Sequence, residues 1–567
     1  MNTSFTISHK KKLFNHINKI FTMNIFSIII FICINYHFVS AWGRMINLNQ
    51  SFNAYFNLRV YACIIVNILI MITIFEQTRR YKHTLKDLIE DKYDFFIISN
   101  IVLIKNILIF CSIPIFYFLF YFFKVNKVSY LIWSQFFLNL IFNWIFPLLF
   151  VTIFISFINT ICTNNILKYI IGILIIYFTS IKMLLFSFTT DNKHLKLLLN
   201  TLNVYSDQSY VSYSDSIGMV LDSLFFIDKV IPILFLLFLI SISKIIFKNK
   251  SNKKQLFRIS SYYIIINIIL VIYSINSYTY ALDNYDYIDN LSQISKDIEI
   301  KSYEIDVDLG NKTKINSKVL ISNLNNSESN DIRLLLDNLF KINYVKINNQ
   351  NIGFSHKDNI LTIKLGESFN YDNLTLEVNY SGRVNILKWS NEYKIVSNDS
   401  QLILPPNSFA WYPSIKSIQD KDFTIKVKSK NTIYSNLNQV SRINGLFKNT
   451  FKFTGTDKDI GLFSGNYKKY NFNNIEVICP EEISYEDQIE NFMDYLETTK
   501  NLNENIINLN KQVLDEYNNK NIKKIIIAPL EDYNYEYFDD IEGTEVINPI
   551  YYWFSNDILF IKLNPVV

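Results

Sequence analysis

The sequence predicts a multi-pass α-helical membrane domain of about seven spans, followed by a mainly-β saddle or sandwich and a short α/β segment. Three observations carry that expectation: an apolar composition, a split in it near residue 280, and a change of hydrophobic period across the split. Half of the 567 residues are hydrophobic, 16% are aromatic and only 19% are charged, too apolar a balance for an ordinary soluble protein. Residues 1–279 hold nearly all the long apolar runs, whereas Asn, Lys, Asp and Ser dominate from 280 onward. The expected boundaries are 1–279 for the helical domain, 280–299 for a linker, 300–480 for the β-rich domain and 481–567 for the α/β segment.

Crossing a hydrocarbon core takes roughly 17 to 25 apolar residues, and seven stretches qualify: 22–41, 59–76, 97–123, 129–160, 166–188, 227–247 and 258–279. The fourth is longer than one span needs and carries Trp144 and Pro147, so a kink or break is expected there. The first follows Lys10, Lys11 and Lys12 but is too long for the apolar part of a signal peptide, and it reads as an anchor. Lys and Arg collect at the N-terminus, in the 76–97 loop and in the 248–258 loop, three segments that share a side if the spans alternate. That side is expected to be cytoplasmic. An odd span count then puts the chain beyond residue 280 outside the cell, in a multi-pass protein of the cell membrane. No expected span holds the chain of ionisable residues that marks an ion relay.

The loop "FEQTRRYKHTLKDLIEDKYD", Phe75 to Asp94, places Tyr81, Leu85, Leu88 and Ile89 at helical spacing. Arg79, Arg80, Lys82, Lys86, Asp87 and Glu90 cover the rest. It reads as a charged amphipathic helix at the membrane surface, either a snorkelling connector or a docking helix for a soluble partner. An inside N-terminus, this charged segment after the second span, and a long outer segment from Asp191 to Phe226 resemble the layout of ABC-2 type exporter permease subunits. The resemblance implies a separate ATPase docked at Arg79 to Glu90 and a homo- or heterodimer of permeases in the lipid bilayer. A seventh span departs from the usual six. No GxxxxGK[ST] occurs, so ATP would be hydrolysed by another polypeptide. The formal charge of +5 is small for the length and shows no nucleic-acid footprint. Cys33, Cys63, Cys111 and Cys162 lie in or beside apolar spans and Cys479 stands alone, so neither a disulfide framework nor a CxxC metal knuckle is expected.

Beyond residue 299 the pattern alternates with period two. "YEIDVDL", "KINSKVLISNL", "NILTIKLG", "NLTLEVNYSGR", "FTIKVKSK", "TFKFTGT" and "IEVICP" read as strands of an antiparallel sheet or sandwich. "SYEDQIENFMDYLETTKNL" aligns Ile489, Phe492, Met493 and Leu496 on one helical face, and "KKIIIAPLEDY" is a short apolar strand. The "FAWYP" corner at Phe409, Trp411, Tyr412 and Pro413, the strand "FTIKVKSKNTIYSN", the closing "DIGLFSGNYKKY" and the final helix–strand pair together resemble the M1 aminopeptidase family. That resemblance implies an N-terminal β-saddle and the opening of a thermolysin-like domain. Read without the family, Trp411 and Tyr412 supply large buried area and Pro413 fixes the backbone, which makes a structural corner.

A zinc peptidase of that kind needs HExxH. The histidines are His9, His16, His37, His83, His194 and His356, and no HExxH or GxMEN segment occurs. No metal, no cofactor and no hydrolysis are therefore expected. The leading expectation is the membrane subunit of an ATP-driven exporter whose non-catalytic outer module binds a peptidic substrate. The alternatives are a membrane-anchored peptide sensor or immunity protein, and a shortened M1-type aminopeptidase fusion.

Overall fold

The computed structural model describes residues 52–80, 96–109, most of 137–180, 223–247, 253–278, most of 298–562, and parts of 11–36. The chain forms two compact units, one of Met1–Tyr213, Met219–Tyr280 and Val566–Val567, the other of Ser214–Gly218 and Ala281–Pro565.

The first unit is helical: α1 (Phe52–Arg80), α2 (Phe146–Ile161), α3 (Asn165–Ser180), α4 (Ser223–Phe247) and α5 (Lys253–Tyr278). The expectation of a seven-span membrane domain is corrected here. Among the described residues, two segments are long and apolar enough to cross a membrane, Lys229–Ile246 in α4 and Lys254–Tyr273 in α5. The apolar helices Phe96–Ile109, Phe146–Ile161 and Asn165–Ile176 are shorter. An apolar run does not ensure a continuous helix. Within the 129–160 run a π-helical turn, Leu140–Ile145, precedes α2, whose first turn holds Pro147. That position tolerates a residue with no N–H to donate. α1 is 29 residues long but buries Asn67, Thr73 and Gln77 among its apolar side chains. Parts of the stretches expected at 22–41, 97–123, 129–160 and 166–188 lie outside the described residues.

α3 packs on α1 through Gly172, where a Cβ would meet Met71 Sδ at 2.5 Å. Phe75 and Tyr169 meet edge to face beside that approach, at 5.1 Å. α5 leaves Ile265, Ile268, Ile269 and Ile272 exposed. An exposed apolar face of this kind marks a contact surface.

In the second unit period-two alternation becomes a large sheet. Its strands are β1 (Glu299–Asp308), β2 (Thr313–Ser322), β3 (Phe340–Ile347), β4 (Gln350–Asn351), β5 (Asn373–Gly382), β6 (Lys421–Ser429), β7 (Asn438–Ile443) and β8 (Asn449–Asp457). They lie in the order β7-β8-β6-β1-β2-β5-β3-β4. β1 and β6 run parallel at the centre of an otherwise antiparallel array. One face is closed by a three-stranded sheet (Asp331–Leu335, Phe354–Lys357, Ile360–Lys364) and by short strands that include Val384–Leu387, Lys394–Ser397 and Leu402–Leu404. Ile305, Val319, Val378, Ile425 and Phe451 from the large sheet meet Leu334, Leu361 and Leu402 from the small ones in a continuous core. The other face carries the alternate, exposed residues.

An α/β module follows: β9 (Tyr467–Phe472), β10 (Ile475–Pro480), α6 (Tyr485–Thr498), α7 (Glu504–Asn518), β11 (Lys524–Ala528), β12 (Tyr552–Ser555) and β13 (Ile558–Lys562). The parallel strands β10, β11 and β13 form its centre, with β9 and β12 antiparallel at the edges. β9 turns into β10 through Asn473 and Asn474 with φ of 52° and 69°, a left-handed pair that suits a two-residue hairpin and that Asn tolerates. Ile489, Phe492 and Leu496 of α6 and Val513 of α7 cover one face of this sheet. Ile478, Ile526 and Phe560 point to the other, where Phe463 packs.

Candidate functional site

The "FAWYP" corner lies inside the β-rich core. Trp411 is 1% exposed, and Phe409, Tyr412 and Pro413 are buried with it. A paired bridge anchors the segment, Leu335 N to Ser414 O at 2.8 Å and Ser414 N to Leu335 O at 3.0 Å. The Tyr380 hydroxyl donates to Trp411 O at 3.0 Å. Tyr303 stands edge-on to Tyr412 at 5.1 Å and stacks on Phe423 at 5.2 Å, so three elements interlock through aromatic rings. None of the four residues at this corner opens to solvent, and the corner is a packing device.

Tyr412 leads into a polar network. Its hydroxyl donates to Asp459 Oδ1 in a short contact. Asp457 Oδ1 accepts from Ser555 Oγ at 2.6 Å and from Lys458 N at 2.7 Å, while Oδ2 accepts from Asn436 Nδ2 at 2.7 Å. Asn436 Oδ1 accepts from Gly461 N at 2.9 Å. Lys524 Nζ donates to the carbonyls of Ser435, Asn436 and Leu437 at 3.3, 2.8 and 3.3 Å. Lys421 Nζ donates to Lys458 O at 3.0 Å. The network therefore ties β6 and β8 of the large sheet to β11 and to the β12–β13 turn of the α/β module.

Burial sets the ionisation here. It pushes the Asp457 carboxyl above its usual range against the hydrogen bonds from Ser555, Asn436 and Lys458. It pulls Lys524 and Lys421 below theirs, against nearby carboxylates. The Tyr412 and Tyr303 phenols are driven well up by the same desolvation, with Asp459 adding to it. Every member of this cluster sits behind protein. The histidine of the unit, His356, places Nε2 2.9 Å from Leu336 O, and burial lowers its pKa. Among the described residues no group of His, Cys, Asp and Glu is arranged to hold a metal ion.

An accessible concavity among the described residues lies on the opposite, solvent-facing side of the large sheet. It is an open groove of 390 Å³, lined by Asp306, Asp308, Lys314, Lys426 and Lys428 with Asn316 and Asn379. Strand register makes it a ladder. Lys314, Asp308 and Lys428 stand in one cross-strand row, and Asn316, Asp306 and Lys426 in the next. Lys426 approaches Asp306 at 3.7 Å with both side chains more than half exposed. The face thus presents both signs of charge in adjacent strands, about 4.8 Å apart.

The expected docking loop is only partly placed. Arg79 and Arg80 end α1, while Lys82, Lys86, Asp87 and Glu90 lie outside the described residues. Arg79 lies 3.7 Å from Glu76, whose Oε1 accepts from the Tyr169 hydroxyl at 2.8 Å. Nearby, Lys168 Nζ donates to Asn159 Oδ1 at 2.9 Å and Asn159 Nδ2 to Thr78 Oγ1 at 2.9 Å. The end of α1 thus joins α2 and α3 through a polar cluster that sequence reading missed. Missed with it was the Asn436–Asp457–Lys524–Ser555 network, for which the one sequence signal is a lysine at the start of the apolar strand "KIIIA".

No protein-family model matches the chain, and no curated protein matches its sequence. Solved structures do match in part. The M1 zinc metallopeptidase from Deinococcus radiodurans matches with TM-score 0.30 and 10% identity, over 42% of this chain and 57% of that one. A variant of that enzyme bound to a Tyr-Ser-Ala substrate matches with TM-score 0.31 and 11% identity, over 41% and 57%. Leukotriene A4 hydrolase from Saccharomyces cerevisiae with bestatin matches with TM-score 0.29 and 13% identity, over 50% and 41%. The chain spans about half the length of the solved structures it matches. These figures describe a partial likeness in chain path, and the activity of those enzymes stays with them. Nothing found supports the resemblance to ABC-2 permeases.

Proposed function

We propose that the chain is a membrane-tethered protein whose β-rich unit binds an extended polypeptide without cleaving it. α4 and α5 supply apolar segments of spanning length. The observation that carries the binding role is the charged ladder of Asp306, Asp308, Lys314, Lys426 and Lys428, which lines an open groove. A peptide laid across it meets both signs of charge at cross-strand spacing, so orientation comes from alternation rather than from one deep pocket. The non-cleaving part of the reading draws on where these reactive groups sit. The carboxylates Asp457 and Asp459 and the lysines Lys421 and Lys524 are buried in bonds to their own chain, and the sequence holds no HExxH.

The test is titration of fluorescent extended peptides, cationic, anionic and zwitterionic, onto the full-length protein in nanodiscs, with mass spectrometry of the peptide afterwards. Binding of the zwitterionic peptide that is lost in Asp306→Lys with Asp308→Lys, with the peptide recovered intact, is the expected result. Cleaved peptide, or binding indifferent to both substitutions, would overturn the reading.

A second reading, a membrane subunit of an ATP-driven exporter working with a separate ATPase, draws on the polar cluster of Glu76, Arg79, Asn159, Lys168 and Tyr169 at one end of the helical unit. Such a cluster offers a charged surface to a soluble subunit. Co-purification of an ATPase that is lost in Arg79→Glu with Arg80→Glu would favour it, and recovery of the chain without an ATPase would remove its mechanism.

A further inference from the structure

We propose that the tip of the β7–β8 hairpin, residues 444–448, is a wedge that enters an anionic lipid surface. Leu446 and Phe447 stand at this tip 98% and 87% exposed. Val440 and Ile443 continue the apolar line along the edge strand β7, where they too are exposed. Large apolar side chains held together in water at a protruding turn mark a contact surface rather than a folding element.

The end of the sheet that carries this tip is basic. Register brings the β1–β2 turn, the end of β6 and the β7–β8 turn to one end, because Asp308 pairs with Lys314 and Lys428, Lys428 with Thr450, and Ile443 with Thr450. Within residues 308–314, 399 and 428–450 there are six cations, Lys312, Lys314, Lys428, Lys430, Arg442 and Lys448, against two carboxylates, Asp308 and Asp399. Lys448 holds both carboxylates, at 2.8 and 3.4 Å, and Lys430 shares Asp399 at 2.9 Å. The excess is four positive charges, six minus two, around an apolar pair.

That pairing selects lipid as the occupant. The apolar pair fits the acyl boundary while the surrounding cations meet headgroup phosphates. A stable protein partner needs roughly 800 Å² on each side, and a single hairpin tip does not offer it. The inference rests on the membrane-tethered reading above. α5 ends at Tyr278 and β1 begins at Glu299, with 20 residues between them (298 minus 278). Such a length reaches up to roughly 70 Å when extended, which exceeds the roughly 33 Å span of a ten-residue strand. The tether is therefore long enough for the far end of β1 to meet the bilayer.

The experiment places Phe447→Trp in the full-length chain, reconstituted in nanodiscs of phosphatidylglycerol or of phosphatidylcholine with brominated acyl chains, and subtracts the emission of the unaltered chain. The expected result is loss of the added emission in the phosphatidylglycerol discs. Arg442→Glu or Lys428→Glu restores it, as each cation removed weakens attachment by about fivefold. Emission that persists in the anionic discs overturns the wedge, and so does a dimer by light scattering whose tip emission resists quenching. Alkaline carbonate extraction of native membranes reports the tether separately. A chain that is extracted yet quenched on anionic vesicles keeps the wedge and removes the tether, whereas a resistant, unquenched chain removes the wedge alone.

Discussion

β6 carries lysines on both of its faces, and the two faces use them differently. Lys421 points inward and is 5% exposed, bonded to a carbonyl beside Asp457 and Asp459. Lys426, five residues on, points outward and meets Asp306 at 3.7 Å in water. The same residue type on one strand is thus a lock on the inner face and a contact on the outer. The difference lies in the medium: a buried charge must be matched bond for bond, while an exposed pair is worth about 0–1 kcal/mol and is free to change partners. Substitutions on the inner side should therefore cost stability, and those on the outer side should cost binding.

The largest effect expected is at Asp457. Asp457→Ala strands the donors of Ser555, Asn436 and Lys458 and removes the acceptor side of a buried network. A loss of about 3–5 kcal/mol is expected, read as a fall in the midpoint of urea unfolding followed by far-UV circular dichroism. A variant as stable as the parent would show that the network binds the α/β module no more strongly than water would.

The same carboxylate sharpens the comparison through pH. Its folded pKa is raised by burial, so the native state holds this proton more tightly than the unfolded chain does. Its ionisation opposes folding at neutral pH, and that opposition is relieved as pH falls through the folded value toward the ordinary carboxylate pKa of about 4. Asp399 on the exposed side behaves in the reverse sense. Partial burial opposes its charge, but Lys430 and Lys448 outweigh that and lower its pKa, so its contribution is present above its ordinary pKa and is lost on further acidification. Unfolding of the parent and of Asp457→Asn at neutral pH and near pH 5 checks this: stability of the parent relative to the variant should rise on acidification.

How far the sequence reveals all this depends on the range of the interactions. Alternation in "YEIDVDL" and "FTIKVKSK" announces the strands because burial of every second residue is a local property. The amphipathic face of α6 is legible for the same reason. α7 escaped notice because its buried positions include Asn510, which accepts from the Tyr552 hydroxyl at 2.6 Å, and an asparagine-rich run does not look like a core helix. The network of Asn436, Asp457, Lys524 and Ser555 spans 119 positions (555 minus 436) with no fixed spacing, so no motif announces it. "KK" before "IIIA" does not say which lysine is inside. Lys523 is exposed and paired with Asp557 at 2.9 Å, while Lys524 is buried. Of the seven expected spans, 227–247 and 258–279 coincide with segments of spanning length, and the seven-span count failed for a related reason: apolar content measures what a segment avoids, and says less about where its helix starts and stops.

A smaller effect divides two buried tyrosines. Tyr380 donates to Trp411 O, whereas the Tyr303 hydroxyl, equally buried, has no hydrogen-bond partner. Tyr380→Phe should cost about 1 kcal/mol, and Tyr303→Phe should be neutral or stabilising by up to about 1 kcal/mol, since it removes a desolvated hydroxyl without breaking a bond. Chemical denaturation of both variants decides it. Equal losses would mean that the Tyr303 hydroxyl is as well satisfied in the folded chain as that of Tyr380.

The smallest effect on stability is expected where the effect on function is largest. Asp306→Lys removes an exposed ion pair and sets like charges side by side in the row with Lys426, which on a solvated face costs within about 0.5 kcal/mol. The unfolding midpoint should hardly move. Peptide affinity should fall, and should fall more for peptides whose own cations meet that row, because the alternation of sign is what orients them. If the substitution instead lowered stability as Asp457→Ala does, the outer face would belong to the fold and not to a ligand. A reversal of preference toward anionic peptides, with the midpoint unchanged, is the outcome that separates a recognition surface from a merely solvated one.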